Sequence, residues 1–123
     1  LVEDDDVCLT AGKLMLEKAG YRVVTAVDGQ DALRRFAGQD FDVVLMDVQM
    51  PVMDGVETTR RIRAGEAGER KKAVPIIAMT AYAMTGDKER FLAADMSEVI
   101  AKPVDMAALQ SMIDRIIAQA GVA

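Results

Sequence analysis

Five side chains stand where a short apolar run stops. Glu3 and Asp4 follow Leu1-Val2, Asp47 follows Val43–Met46, Thr80 follows Ile76–Met79, and Lys102 follows Val99–Ala101. Three carboxylates brought together repel one another and call for a cation. The chain has no histidine and one cysteine, so such a site is all oxygen and suits a hard ion. Mg²⁺ fits, because it binds one or two carboxylates together with water and phosphate oxygens. Lysine offers a point charge to a phosphoryl oxygen, and threonine offers a hydroxyl donor. Gathered around Asp47, the set would place a phosphoryl group on that carboxylate. Each residue alone has a plainer reading: an acidic run as a solvated turn, Asp47 as a strand stop or cap, Thr80 as a local hydrogen bonder, Lys102 as surface. Plain readings do not explain why all of them fall at the ends of four apolar runs.

Those residues meet only if the runs are parallel strands of one sheet, whose carboxyl edge is where open α/β folds bind ligands. Val43–Met46 reads as a strand buried on both faces. It belongs to a third strand expected over Phe41 to Asp47, with Pro51 and Asp54-Gly55 as turn signals behind it. Leu1-Val2 reads as the end of a first strand already under way, so residues upstream are expected. Cys8, Ala11, Gly12, Met15, Leu16 and Ala19 fall on one face of a first helix, capped by Asp5 or Asp6 and ended by Gly20. Tyr21 to Val27 is a second strand, Asp28-Gly29 a turn, and Gln30 to Ala37 a second helix with Ala32, Leu33 and Phe36 inward. Val56 to Arg63 is a third helix, followed by a charge-rich connection over 64–73. Ile76–Met79 is the fourth strand, Gly86 to Ala94 the fourth helix and Val99–Ala101 the fifth strand. Asp105 caps a last helix with Met106, Leu109, Ile113, Ile116, Ile117 and Ala120 inward. Five β-α units predict a parallel sheet with right-handed crossovers and helices on both faces.

The 123 residues suffice for one domain with one core, and 51% of them are hydrophobic. No apolar run approaches the roughly 18 residues of a membrane span. A single cysteine excludes an internal disulfide and fits a reducing compartment. Twenty acids against 15 bases give a net charge of −5, which makes direct nucleic-acid binding unfavourable. Without histidine, the chain carries no phosphohistidine of its own.

In combination, Val2-Glu3-Asp4-Asp5, Leu45-Met46-Asp47-Val48-Gln49-Met50-Pro51-Val52-Met53-Asp54-Gly55, Pro75-Ile76-Ile77-Ala78-Met79-Thr80-Ala81 and Ala101-Lys102-Pro103 resemble the response-regulator receiver domain of two-component signalling. The resemblance spans essentially the whole chain, residues 1–123. It implies a single doubly wound, flavodoxin-like (βα)5 domain with strand order 2-1-3-4-5. It implies that Asp47 accepts a phosphoryl group from the phosphohistidine of a partner histidine kinase or phosphotransfer domain. By the same resemblance Asp4 is a direct metal ligand, Glu3 a second acid acting through water, and the Gln49 carbonyl a further ligand. The ion is Mg²⁺, with Mn²⁺ as a substitute. Thr80 and Lys102 are the phosphoryl-contacting pair, and the Lys102-Pro103 bond matches a cis peptide of the family. The domain would catalyse its own phosphorylation and dephosphorylation while serving mainly as a cytoplasmic signalling module. It would touch neither nucleic acid nor membrane directly. The details look closest to receivers of hybrid sensor kinases, which implies an effector or kinase region in the parent chain.

Two positions depart from the family pattern. Val99 stands where a switch aromatic is usual, and Asp95 replaces a glycine after the fourth helix. The expected readout therefore moves to Thr80–Ala94, where Tyr82 is the aromatic of the loop. Two other readings compete. A degenerate receiver acting only as a scaffold would not need all five positions filled. A flavin or nucleotide binder would need a phosphate-cradling loop where Glu3 to Asp6 places acids.

Overall fold

The computed structural model describes residues 1–3, 5–39, 41–48, 55–66, 68, 74–80, 91–93, 96–101 and 104–121. Its elements are α1 (Asp6–Lys18), α2 (Gly29–Gly38), β1 (Val44–Asp47), α3 (Gly55–Arg63), β2 (Ile76–Thr80), β3 (Glu98–Ala101) and α4 (Met106–Gly121). Residues 91–93 are helical. The strands form a parallel sheet in the order β1-β2-β3, with Val44 opposite Ile76 and Thr80 opposite Ala101. Single parallel bridges join Val2 to Ala26 and Val2 to Met46.

Of the five expected strands, three are thus joined by two ladders, and the other two are segments held by isolated bridges. The first segment makes its bridges at Val2, and Tyr21 to Thr25 runs without strand pairing up to the bridge at Ala26. The third strand begins at Val44 rather than Phe41.

Side chains of the strands alternate between two cores, as a period of two requires. Val44, Met46, Ile76 and Ala78 pack with Phe36 of α2 and Val56 and Ile62 of α3. Leu45, Ile77 and Met79 pack with Leu16 of α1 and Leu109, Ile113 and Ile116 of α4. Helices therefore cover both faces, which is why β1 and β2 are buried along their whole length and apolar up to their last residues, Asp47 and Thr80.

The caps expected at the starts of α1 and α4 form, and Asp28, expected as a turn residue, caps α2 as well. Asp5 accepts from the Val7 and Cys8 amides at 2.9 and 3.2 Å. Asp28 accepts from the Asp31 amide at 2.8 Å, and Asp105 from the Ala107 amide at 3.0 Å. The buried face of α1 is narrower than expected. Leu16 is buried and Leu9, Gly12 and Ala19 are half-buried, whereas Cys8, Ala11 and Met15 are exposed. At Gly12 the helix comes close to the first segment: an added Cβ would lie 3.0 Å from Leu1 Cδ2. Gly20 follows the C-cap at φ 99°, a left-handed conformation that glycine adopts without strain.

Asp4, Gln49, the loop with Tyr82, most of the expected fourth helix, Asp95, Lys102 and Pro103 lie outside the described residues.

Candidate functional site

Asp47 is the last residue of β1, and its backbone is held from three sides. Its amide donates to the Val2 carbonyl at 3.0 Å, the next amide, of Val48, donates to the Met79 carbonyl at 3.1 Å, and the Gly55 amide donates to the Val48 carbonyl at 3.0 Å. The first strand segment, β2 and the start of α3 therefore all meet at this strand end. A Cβ on Gly55 would lie 2.6 Å from the Asp47 carbonyl oxygen and 2.9 Å from Met46 Cγ and Val48 Cα. Only glycine lets α3 begin this close to the acid.

Glu3 and Thr80 come to the same edge. The pairing of Val2 with Met46 sets Glu3, the next residue, alongside Asp47. Thr80 ends β2 one residue beyond Met79, the register partner of Asp47. All three are interior: Glu3 is 5% exposed, Asp47 1% and Thr80 0%. Burying two acids side by side is costly unless each is compensated. The Glu3 carboxylate accepts from the Asp5 amide at 3.3 Å, and among the described residues no buried side-chain nitrogen or oxygen lacks a partner. The remaining expected members bracket this group in the chain. Asp4 follows Glu3, Gln49 lies two residues past Asp47, and Lys102 follows Ala101, the register partner of Thr80.

A fourth acid near the same edge was not singled out by the sequence. Asp31 of α2 is 8% exposed. Its carboxylate accepts from the Val27 amide at 3.1 Å and pairs with Arg34 at 3.1 Å and Arg35 at 3.3 Å. Burial alone would raise its pKa, but the Val27 N–H and the two guanidiniums outweigh burial and hold it below the ordinary value. The signal was present in the spacing: a capping Asp28, then Asp31, then arginines three and four residues on. Its oxygens are taken up in tying the second strand segment to α2, so Asp31 is structural.

Two adjacent interior carboxylates, a buried hydroxyl one strand over and no sulfur or imidazole make a donor set of hard oxygens. That set fits Mg²⁺ and does not fit a soft metal. No helix among the described residues is long and apolar enough to cross a membrane.

Comparison with known proteins agrees with this geometry. Residues 1–114 match the family model described as the response regulator receiver domain. Sensor protein GacS of Pseudomonas syringae pv. syringae is 38% identical over 112 residues, covering 91% of this chain and 12% of that protein. Hybrid signal transduction histidine kinase M of Dictyostelium discoideum is 39% identical over 119 residues, covering 95% of this chain and 5% of that protein. The chain thus spans a small part of the curated relatives it matches. Among solved structures, the receiver domain of sensor histidine kinase PA1611 from Pseudomonas aeruginosa PAO1 is 44% identical with a TM-score of 0.86, covering 95% of this chain and 93% of that one. That structure has a magnesium ion coordinated in its active-site cleft.

Proposed function

Because this chain belongs to the response regulator receiver family, whose members act in two-component phosphorelays, we propose that Asp47 is its phosphoacceptor and that a partner's phosphohistidine is the donor. The observation that carries this reading is the position of Asp47: 1% exposed, at the carboxyl end of β1, beside Glu3 and one strand from Thr80.

In the transfer, one Asp47 carboxylate oxygen attacks phosphorus in line with the leaving imidazole. An O–P bond forms, the N–P bond breaks, and its electron pair returns to the histidine ring. Glu3, Asp4, the Asp47 side chain and the Gln49 carbonyl would hold Mg²⁺. When bound, the ion supplies positive charge against the phosphoryl oxygens. Lys102 supplies a second cation to the same oxygens, and the Thr80 hydroxyl donates to one of them. Hydrolysis of the acyl phosphate returns the Asp47 carboxylate and releases inorganic phosphate. A histidine kinase or a phosphotransfer domain is the partner chemistry. A hybrid sensor kinase is the parent architecture that the curated relatives support, and a cytoplasmic receiver is part of this proposal. A scaffold-only receiver is not favoured, since all five positions carry the residue types the reaction uses.

Intact mass spectrometry tests the assignment. With a small phosphodonor and Mg²⁺ the protein should gain about 80 Da, the mass of one phosphoryl group. Asp47→Asn should remain folded by circular dichroism and gain nothing. Continued labelling of that variant within the pocket would place the acceptor elsewhere.

A further inference from the structure

Asp47 and Val48 are held on one side by sheet bonds, to the Val2 and Met79 carbonyls. On the other side the chain runs through residues 49–54 and returns at Gly55, whose amide donates to the Val48 carbonyl at 3.0 Å. That return hangs on the first turn of α3. A first turn is where a helix is held least, because its amides have no earlier carbonyl to bond. It also begins with glycine, the residue with the most backbone freedom to lose. Glycine is imposed there by the close approach to the Asp47 carbonyl oxygen, which an added Cβ would meet at 2.6 Å. The contact behind the acid thus rests on the residue least able to hold its own place.

Thr59, one turn further along α3, makes up for this. It is 0% exposed, and its Oγ1 donates to the Gly55 carbonyl at 2.8 Å. In an α-helix the same carbonyl accepts from the amide of residue 59 as well. Two donors from one residue therefore fix the orientation of the Gly55 peptide. The side chain is β-branched and stiff about χ1, and its burial excludes water that would compete for the hydroxyl. A threonine bonded back to the carbonyl four residues earlier adds nothing to helix stability and slightly opposes it. Valine has the same shape and would fill the same space. What the hydroxyl adds is position.

We propose that Thr59 is a positioning residue for phosphoryl transfer: its hydroxyl clamps the first turn of α3, through Gly55, against Asp47 and Val48, and so fixes the reacting carboxylate. This rests on the reading of Asp47 as the phosphoacceptor. Thr59 acts through Gly55 and touches no reacting atom. Misplacement of a reacting group by about 1 Å costs on the order of 100-fold in rate, so a small slackening of this turn is measurable.

Two variants separate position from packing. Thr59→Val removes the hydroxyl and keeps the shape, whereas Thr59→Ser keeps the hydroxyl and removes a buried methyl group. Thr59→Val should slow the Mg²⁺-dependent mass gain from acetyl phosphate by about 5–10-fold, with Tm within about 2 °C of the parent protein. Thr59→Ser should do the reverse, melting a few degrees lower while labelling at the parent rate. A purely structural role would make the rate follow Tm in both. Hydrogen exchange of the Gly55 amide gives a reading that needs no phosphodonor: it should quicken several-fold in Thr59→Val and stay unchanged in Thr59→Ser. Parent-rate labelling of Thr59→Val, equal slowing of the two variants, or unchanged Gly55 exchange in Thr59→Val overturns the proposal. Mass gain that survives in Asp47→Asn overturns instead the phosphoacceptor reading, and Gly55 exchange still decides whether Thr59 clamps the turn.

Discussion

Gly55 has the tightest surroundings of the glycines near the site, and its environment ties stability to chemistry. A methyl group there would meet the Asp47 carbonyl oxygen at 2.6 Å, which is backbone and cannot swing aside. Gly55→Ala should therefore push the start of α3 away from β1 at a cost of about 1–3 kcal/mol. It should lower Tm and slow phosphorylation of Asp47 together, as read by thermal melts and by the rate of mass gain. A variant that melts lower but labels at the normal rate would separate the helix start from the site. Asp31 gives a pH prediction. Its folded carboxyl is held below the ordinary value, so its contribution is present above that value and is lost as pH falls through the folded one. Denaturant midpoints should fall as pH drops below the ordinary carboxylate range, and less steeply in Asp31→Asn, which has no charge to lose. Glu3, Asp47 and Thr80 were legible in the sequence because each interrupts an apolar run with an oxygen. Asp31 and the contact of Gly55 were not, since the first looks like an ordinary helix charge and the second depends on which element lies behind a turn.

The elements were legible to the extent that their signals are local. The period-two runs and the Asp caps depend on near neighbours, and they placed β1, β2, β3 and α4 within a few residues. The face of α1 depends on distant contact instead. Leu16 packs into the core with Leu45 and Ile77, while Met15, equally apolar, remains 47% exposed. The first two strand segments make isolated bridges at Val2 and Ala26 and not ladders. The cap of α1 offers a test of element against site. Asp5 satisfies two amides at the start of α1, and its removal in Asp5→Ala should cost about 1 kcal/mol. Asp5 lies next to the acidic group in sequence without being assigned to it. Tm should therefore drop by a few degrees while the Mg²⁺-dependent rise in Tm keeps its size. Loss of that rise would make Asp5 part of the ion site.

At the scale of the molecule, one sheet separates two cores and carries Asp47 on its edge, so a change at that edge can reach either core. An ion that binds only the folded state raises Tm by mass action. Mg²⁺ should therefore stabilise the protein in a concentration-dependent way, and Asp4→Ala should abolish the effect in melts at graded Mg²⁺. On the proposed reading, phosphorylation would act at the same edge by adding negative charge and acceptor oxygens to Asp47. Thr80, fully buried at the end of β2, is the described hydroxyl one strand away. Immediately after it comes the stretch running to Phe91, which is buried in the same core as Met96, with half-buried Val99 packed against them. Valine at 99 is too small to fill a space vacated by a moving threonine. The displacement should therefore run forward along the chain, through 80–94, and not across to position 99. A preference of about 1–3 kcal/mol between two arrangements of that stretch is enough to make it a usable signal. Amide exchange with and without beryllofluoride, a phosphoryl mimic, reads this directly. Changes should centre on residues 80–94, disappear in Thr80→Ala and survive in Val99→Ala. The opposite pattern, silent in Val99→Ala and intact in Thr80→Ala, would route the signal through β3 instead.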